Sequence, residues 1–190
     1  MSAMLEKFAE MRLAMINSQL RPNSVDDPRL LVALDSVARE DFVPEVRRAT
    51  AYADAMVPLG DGRWMNTPLV TARLIDALNL RGGERVLIAG DATGYAAAVV
   101  KQMAAEAVAA DSAKGGDYDA LLIDGAVSEV PAALIKKLSE GARVAAGLLD
   151  GRVTRLAQGV KRGGAVRLVD FGDAEIAILS ETVPAPVFSF

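Results

Sequence analysis

Gly90-Asp91-Ala92-Thr93-Gly94-Tyr95 is the stretch of this 190-residue chain whose residue types and spacing point most directly to chemistry. It follows Arg85-Val86-Leu87-Ile88-Ala89, an apolar run of strand length, and opens an alanine-rich helical stretch. The order is therefore strand, glycine turn, helix. Glycines at such a turn let the backbone bend sharply and meet a ligand with no side chain between, while the helix behind offers unpaired N–H groups. A Rossmann-like sheet holds a nucleotide-type cofactor at a turn of this kind. Here the middle glycine position is Ala92, and the strand carries no acidic residue. Tyr95 stands either to stack on a ligand or to pack on the sheet. Asp119 and Asp124 flank a second apolar strand and either face the same cleft or form turns.

Composition removes several other chemistries. The chain has no histidine and no cysteine, which excludes serine–histidine hydrolysis, thiolate catalysis, disulfides and zinc–thiolate sites. A net charge of −4 gives no reason to expect a nucleic-acid surface. Met1 to Gln19 mixes Glu6, Lys7, Glu10 and Arg12 among its apolar residues, so no signal peptide is expected. No segment approaches about 20 uninterrupted apolar residues, and a cytoplasmic protein without membrane or metal partners is the expectation.

The elements that must position the turn divide into a helical region, residues 1–80, and a Rossmann-like unit, residues 81–190, packed as one structure. Phe8, Met11, Met15 and Ile16 recur at helical spacing up to about Leu20, where Arg21-Pro22-Asn23 ends the helix. A second helix begins with Asp27 as cap and Pro28 at its first position, and runs through Leu30, Leu31, Leu34 and Val37. Val57-Pro58-Leu59-Gly60-Asp61-Gly62 reads as a turn-rich loop leading to Trp64 and Asn66. A third helix is expected from about Pro68 to Leu80, ended by Gly82-Gly83. Tyr118 to Ile123 reads as a buried strand, Val130 to Leu138 as a helix and Ala142 to Leu148 as a further strand, a succession typical of a parallel sheet. Val153 to Val160 and Ala165 to Val169 suggest an antiparallel hairpin about Lys161-Arg162-Gly163-Gly164, with Glu175 to Leu179 as another strand piece.

Several ordered segments resemble the protein-L-isoaspartate O-methyltransferase family, in particular its divergent bacterial branch. They are Met15 to Pro22, Val37-Ala38-Arg39-Glu40-Asp41-Phe42-Val43-Pro44, Ala51-Tyr52-Ala53-Asp54 with Val57 to Gly60, Gly90 to Tyr95, Tyr118-Asp119-Ala120, Val130 to Leu134, and Leu138-Ser139-Glu140-Gly141. The resemblance implies an α/β, class I methyltransferase sheet. It also implies S-adenosylmethionine as cofactor and isoaspartyl-containing proteins as substrates. Gly90, Asp91, Ala92, Gly94 and Tyr95 would line the cofactor, with Asp124 at the edge of the same cleft. Asp111 aligns with the acid that holds the ribose hydroxyls, or is a solvated helix-end residue.

The departures from the family pattern fall on the chemistry. The active-site loop reads Gly62-Arg63-Trp64-Met65-Asn66-Thr67-Pro68, so Asn66 replaces the hydroxyl expected near the transferred methyl group and Trp64 fills a threonine position. These two are the candidate catalytic positions. The strand acid is Ile88 and the middle glycine is Ala92, which predicts weak or absent cofactor binding and an impaired or inactive enzyme. The alternative is a non-catalytic homologue that serves as a binding or assembly module. Only about a dozen residues separate Ala104 from Tyr118, where the family has roughly forty. Since a parallel crossover normally needs a dozen residues or more, the expectation is that the helix from Gly94 runs on toward Ala110 and that the second and third strands are missing. Arg85–Ala89 would then be an open sheet edge, covered by helices, by the Val183 to Phe190 tail, or, as favoured here, by a second copy in a two-fold dimer.

Overall fold

A computed structural model describes residues 2–104 and 106–179. Its amino-terminal part is helical for local reasons that the sequence exposes. Helix α1 (Ser2–Met15) passes through one wide turn at 16–20 and a tight turn at 21–23 that contains Pro22. Its stripe is core: Phe8, Met15, Ile16 and Leu20 are buried. Helix α2 (Pro28–Ser36) has Asp27 as its cap, the carboxylate accepting from Arg29 N at 2.8 Å, with Pro28 at the first position where no N–H is needed. After the β1 (Val57–Gly60) and β2 (Arg63–Met65) strands comes α3 (Pro68–Ala77), capped by Thr67, whose hydroxyl accepts from Val70 N at 3.2 Å. The expected loop at 57–62 is thus an antiparallel hairpin, because Gly60, Asp61 and Gly62 all adopt positive φ and turn the chain back. Helix α3 also ends before Leu80, with Asn79 in the left-handed region at φ 46°.

The remaining elements are β3 (Arg85–Ala89), α4 (Tyr95–Lys101), β4 (Glu106–Ala109), β5 (Tyr118–Val127), α5 (Ala132–Ile135), β6 (Leu138–Asp150), β7 (Val153–Arg162), β8 (Ala165–Val166) and β9 (Val169–Asp173). They form a seven-stranded sheet in the order β4-β3-β5-β6-β7-β8, with β9 also paired to β7. Strands β4, β3, β5 and β6 are parallel; β7, β8 and β9 are antiparallel to their partners. Alternation along the strands separates two clusters. Val86, Ile88, Ala120 and Leu122 meet α1 to α4, and Leu87, Leu121, Ile123 and Val144 meet the opposite face.

Two expectations about the sheet need correction. The helix from Gly94 stops at Lys101, and Glu106–Ala109 pairs with β3, so the second strand is present. The alanine run favours helix by propensity, but the ladder of β3 would otherwise be open, and pairing wins. The short return is possible because β4 has only four residues, so a span of roughly 13 Å is recrossed by residues 110–117, which turn at 110–112 and contain no helix. That connection takes the place of a crossover helix: Ala110 and Ala113 pack on the second cluster, and Lys137 Nζ donates to Ala113 O at 2.7 Å. The third strand has no counterpart among the described residues. Arg85–Ala89 is therefore interior, between β4 and β5, and the argument for a two-fold dimer through its edge falls. The expected hairpin is present: the chain turns at 163–164, so that Arg162 and Lys161 meet Ala165 and Val166 and Gln158 meets Val169, while the other edge of β7 pairs along its length with β6. The Val183 to Phe190 tail lies outside the described residues.

Candidate functional site

The carboxyl ends of β3, β4 and β5 open toward one side, and the turn after β3 sits between them. Gly90 has φ 72° and Gly94 φ 84°, so both outer glycines are in the conformation that L side chains resist. Asp91 closes this turn on itself. Its Oδ1 accepts from Gly94 N at 2.9 Å and its Oδ2 from Ala97 N at 2.8 Å, which satisfies amides at the start of α4. Ala92 belongs to the same turn. Tyr95 points into the core at 1% exposure, edge-on to Phe42 with ring centroids 5.5 Å apart. Its ring is thus a packing element in this conformation.

Below the turn lies a buried polar chain. The backbone of Asp124 abuts Gly90, and its carboxylate accepts from Asn66 Nδ2 at 2.9 Å and from Thr71 Oγ1 at 3.1 Å. Asn66 Nδ2 also donates to Asp124 O at 3.1 Å, while Asn66 Oδ1 accepts from Ala177 N at 2.8 Å. The Asn66 backbone oxygen accepts from Arg39 Nη2 at 2.5 Å, and Arg39 Nε donates to Ala51 O at 2.7 Å. Arg39 is fully buried and its guanidinium carbon lies 4.9 Å from the centre of the Tyr95 ring. Arg39 Nη1 and the Tyr95 hydroxyl, both buried, make no hydrogen bond of normal geometry among the described residues. Burial pushes the Asp124 carboxyl up to about 6, helped by the neighbouring charge of Asp91 and opposed by the bonds from Asn66 and Thr71. Burial likewise lowers the pKa of Arg39.

The remaining candidates lie apart from this chain. Asp111 is exposed, two residues beyond the end of β4, at the same sheet end as Gly90, and accepts from Ser112 Oγ at 2.9 Å. This is the end of a second strand, where the resemblance would place a ribose-binding acid. Trp64, on β2, is 45% exposed and belongs to the hairpin surface. Asp119 stands at the opposite end of the sheet, accepting from Arg85 N at 2.9 Å. The cleft above Gly90 is filled by a segment that sequence reasoning did not place there. Ala126 N donates to Ala177 O at 2.7 Å and Leu179 N to Ala126 O at 3.0 Å, so residues 177–179 cross the end of β5. A Cβ at Gly90 would lie 2.7 Å from Leu179 Cδ1, and one at Gly125 2.6 Å from Leu179 Cδ2.

Comparison with known proteins agrees with this geometry. The family model for protein-L-isoaspartate(D-aspartate) O-methyltransferase matches residues 11–114, the stretch from α1 through the glycine turn to Asp111. The chain belongs to that family. A protein-L-isoaspartate O-methyltransferase of Methylorubrum populi is 37% identical over 163 residues, covering 70% of this chain and 77% of the relative. Protein-L-isoaspartate O-methyltransferase 1 of Rhodopseudomonas palustris is 46% identical over 99 residues, 52% of this chain and 40% of the relative. The chain thus spans under half the length of some relatives it matches. A solved structure of a Plasmodium falciparum protein assigned to the same activity, in complex with S-adenosyl-L-homocysteine, superposes with a TM-score of 0.70 at 16% identity, covering 90% of this chain and 98% of that one. The shared fold is the mostly parallel class I methyltransferase sheet. Within it, Arg39 and Thr71 are the site residues that sequence reasoning missed. Arg39 stands in the family-like segment 37–44, but no pattern marks a single arginine as buried.

Proposed function

We propose that this chain is a methyltransferase-family protein in which S-adenosylmethionine binding is weak or absent and methylation of isoaspartyl carboxylates is impaired or lost. The observation that carries this reading is the commitment of Asn66. At 1% exposure, with Nδ2 held by Asp124 and Oδ1 by Ala177 N, it presents no polar atom to a substrate carboxylate. Methyl transfer depends chiefly on holding acceptor and donor in line, and a loop whose polar side chain is turned into the core gives no such hold.

The conformation described does not fit the cofactor. The turn geometry at Gly90 and Gly94 and the exposed carboxylate of Asp111 are of suitable kinds, but Leu179 occupies the space beside Gly90 and Gly125, and Asp91 already engages the helix-start amides. Ile88, 2% exposed between the neighbouring strands, brings no carboxylate to the turn. A lost charge-assisted hydrogen bond costs about 1.5 to 3 kcal/mol, a factor of ten or more in affinity. The closure of the turn by its own aspartate also favours a second reading, a non-catalytic homologue that keeps the fold as a protein-binding or assembly module.

Calorimetric titration with S-adenosyl-L-homocysteine, run beside a methylation assay on an isoaspartyl peptide, tests the proposal. Binding far weaker than micromolar and turnover at background are expected. Low-micromolar binding, or turnover well above background, contradicts it.

A further inference from the structure

We infer that residues Ala177–Leu179 form a strap that closes the glycine-turn cleft and must leave before any ligand reaches it. The inference rests on the reading of Gly90–Gly94 as the cofactor turn. Residues 90 and 125 lack side chains, and the room this leaves is taken by one leucine: Leu179 Cδ1 and Cδ2 stand 2.7 Å and 2.6 Å from where their Cβ atoms would be. The segment is tied down without being part of a regular strand. It makes an isolated parallel bridge to Ala126, two backbone bonds there, and one bond from Ala177 N to Asn66 Oδ1.

The point of attachment is equally defined. Ile176, 3% exposed, is seated in the core, and its N–H donates to Thr154 Oγ1 at 3.1 Å. Ile178 is 51% exposed. Among the described residues the segment is fixed at Ile176 and held beyond it by these three hydrogen bonds and the Leu179 contact, and rotation after Ile176 would lift it from Gly90 and Gly125. Such a strap lowers apparent affinity by the fraction of molecules that are open at any moment. It thus accounts for part of the weak binding proposed above by a contact that a single substitution removes.

The test is calorimetric titration of S-adenosyl-L-homocysteine into the whole chain and into two variants. Leu179→Ala empties the space beside Gly90 and Gly125, and Ala177→Pro removes the N–H held by Asn66 without touching the turn. If the strap is open less than about a tenth of the time, both variants bind about tenfold more tightly than the unsubstituted chain. Hydrogen exchange at Ala126 and Leu179, slow in the free protein, becomes faster in both. Unchanged affinity in the variants with weak binding in the parent overturns the strap and leaves the proposed function standing. No binding in any of the three also overturns it, since no competent cleft then lies behind Leu179, and leaves the non-catalytic reading. Low-micromolar binding by the parent overturns both.

Discussion

Asn66 and Asp124, 58 residues apart in sequence, are joined side chain to side chain at 2.9 Å, and the other end of the same amide holds Ala177. One residue thereby links the loop before α3, the end of β5 and the carboxyl-terminal crossing. The position at which the family resemblance places the catalytic hydroxyl works here as a structural tie.

Replacing Asn66 by alanine leaves a buried carboxylate short of a donor and the Ala177 N–H short of an acceptor. Each buried group left unpaired costs about 1 to 3 kcal/mol, so a loss of about 3 kcal/mol is expected in urea unfolding. A loss below about 1 kcal/mol would mean that the tie is not formed in solution.

Arg39 joins the Ala51 and Asn66 carbonyls through a buried, planar group. Lysine lacks the fork that reaches both, so Arg39→Lys is expected to cost about 2 kcal/mol or more despite keeping the charge. Equal midpoints of unfolding for the two proteins would sink this assignment.

Stability should vary with pH through two carboxyls of opposite sense. Asp124 is raised by burial from its ordinary 3.8 to about 6, so the folded state holds the proton more tightly than the unfolded one. Its contribution is then present at low pH and is lost as pH rises from about 4 to 6, on the order of 3 kcal/mol in all. For Glu84 burial pushes upward, but Arg143 at 2.5 Å and the backbone N–H groups of Arg81 and Gly82 outweigh it, and the carboxyl falls from 4.5 to about 2. Its contribution is present above about 4.5 and is lost as pH falls toward 2. The two together place a stability maximum near pH 4 to 5, and Asp124→Asn should remove the decline above it. A flat profile from pH 4 to 7 in the parent chain would contradict the burial of Asp124.

Trp64 is the one tryptophan of the chain and sits half exposed on a hairpin, so Trp64→Thr should change stability by about 0.5 kcal/mol or less. The double change Trp64→Thr with Asn66→Ser is expected to give no turnover on an isoaspartyl peptide, because residue 66 faces the core whatever its side chain. Methylation by the double variant would show that the loop can turn outward.

The parts of the fold legible in the sequence are those with local causes. Asp27-Pro28 and Thr67-Pro68 announce the starts of α2 and α3 through capping and proline geometry, and the apolar run 85–89 before Gly90 announces β3. Glu106–Ala109 was illegible because alanines favour helix and only the open edge of β3 makes them a strand. Of the candidate site, the glycine turn stands out by its spacing and Asp124 by its place at the end of an apolar strand, whereas Asp111 is marked only by the family resemblance. The reach of Leu179 to Gly90 and the bond from Ala177 to Asn66, 111 residues away, leave no mark in any local pattern.

The titration of S-adenosyl-L-homocysteine into the unsubstituted chain tests the proposed loss of cofactor affinity most directly. A dissociation constant far above the micromolar range, or no heat of binding, is the result this structure leads us to expect. A value in the low micromolar range would show that Ile88, Ala92 and the seated Leu179 do not weaken the site, and would contradict the account.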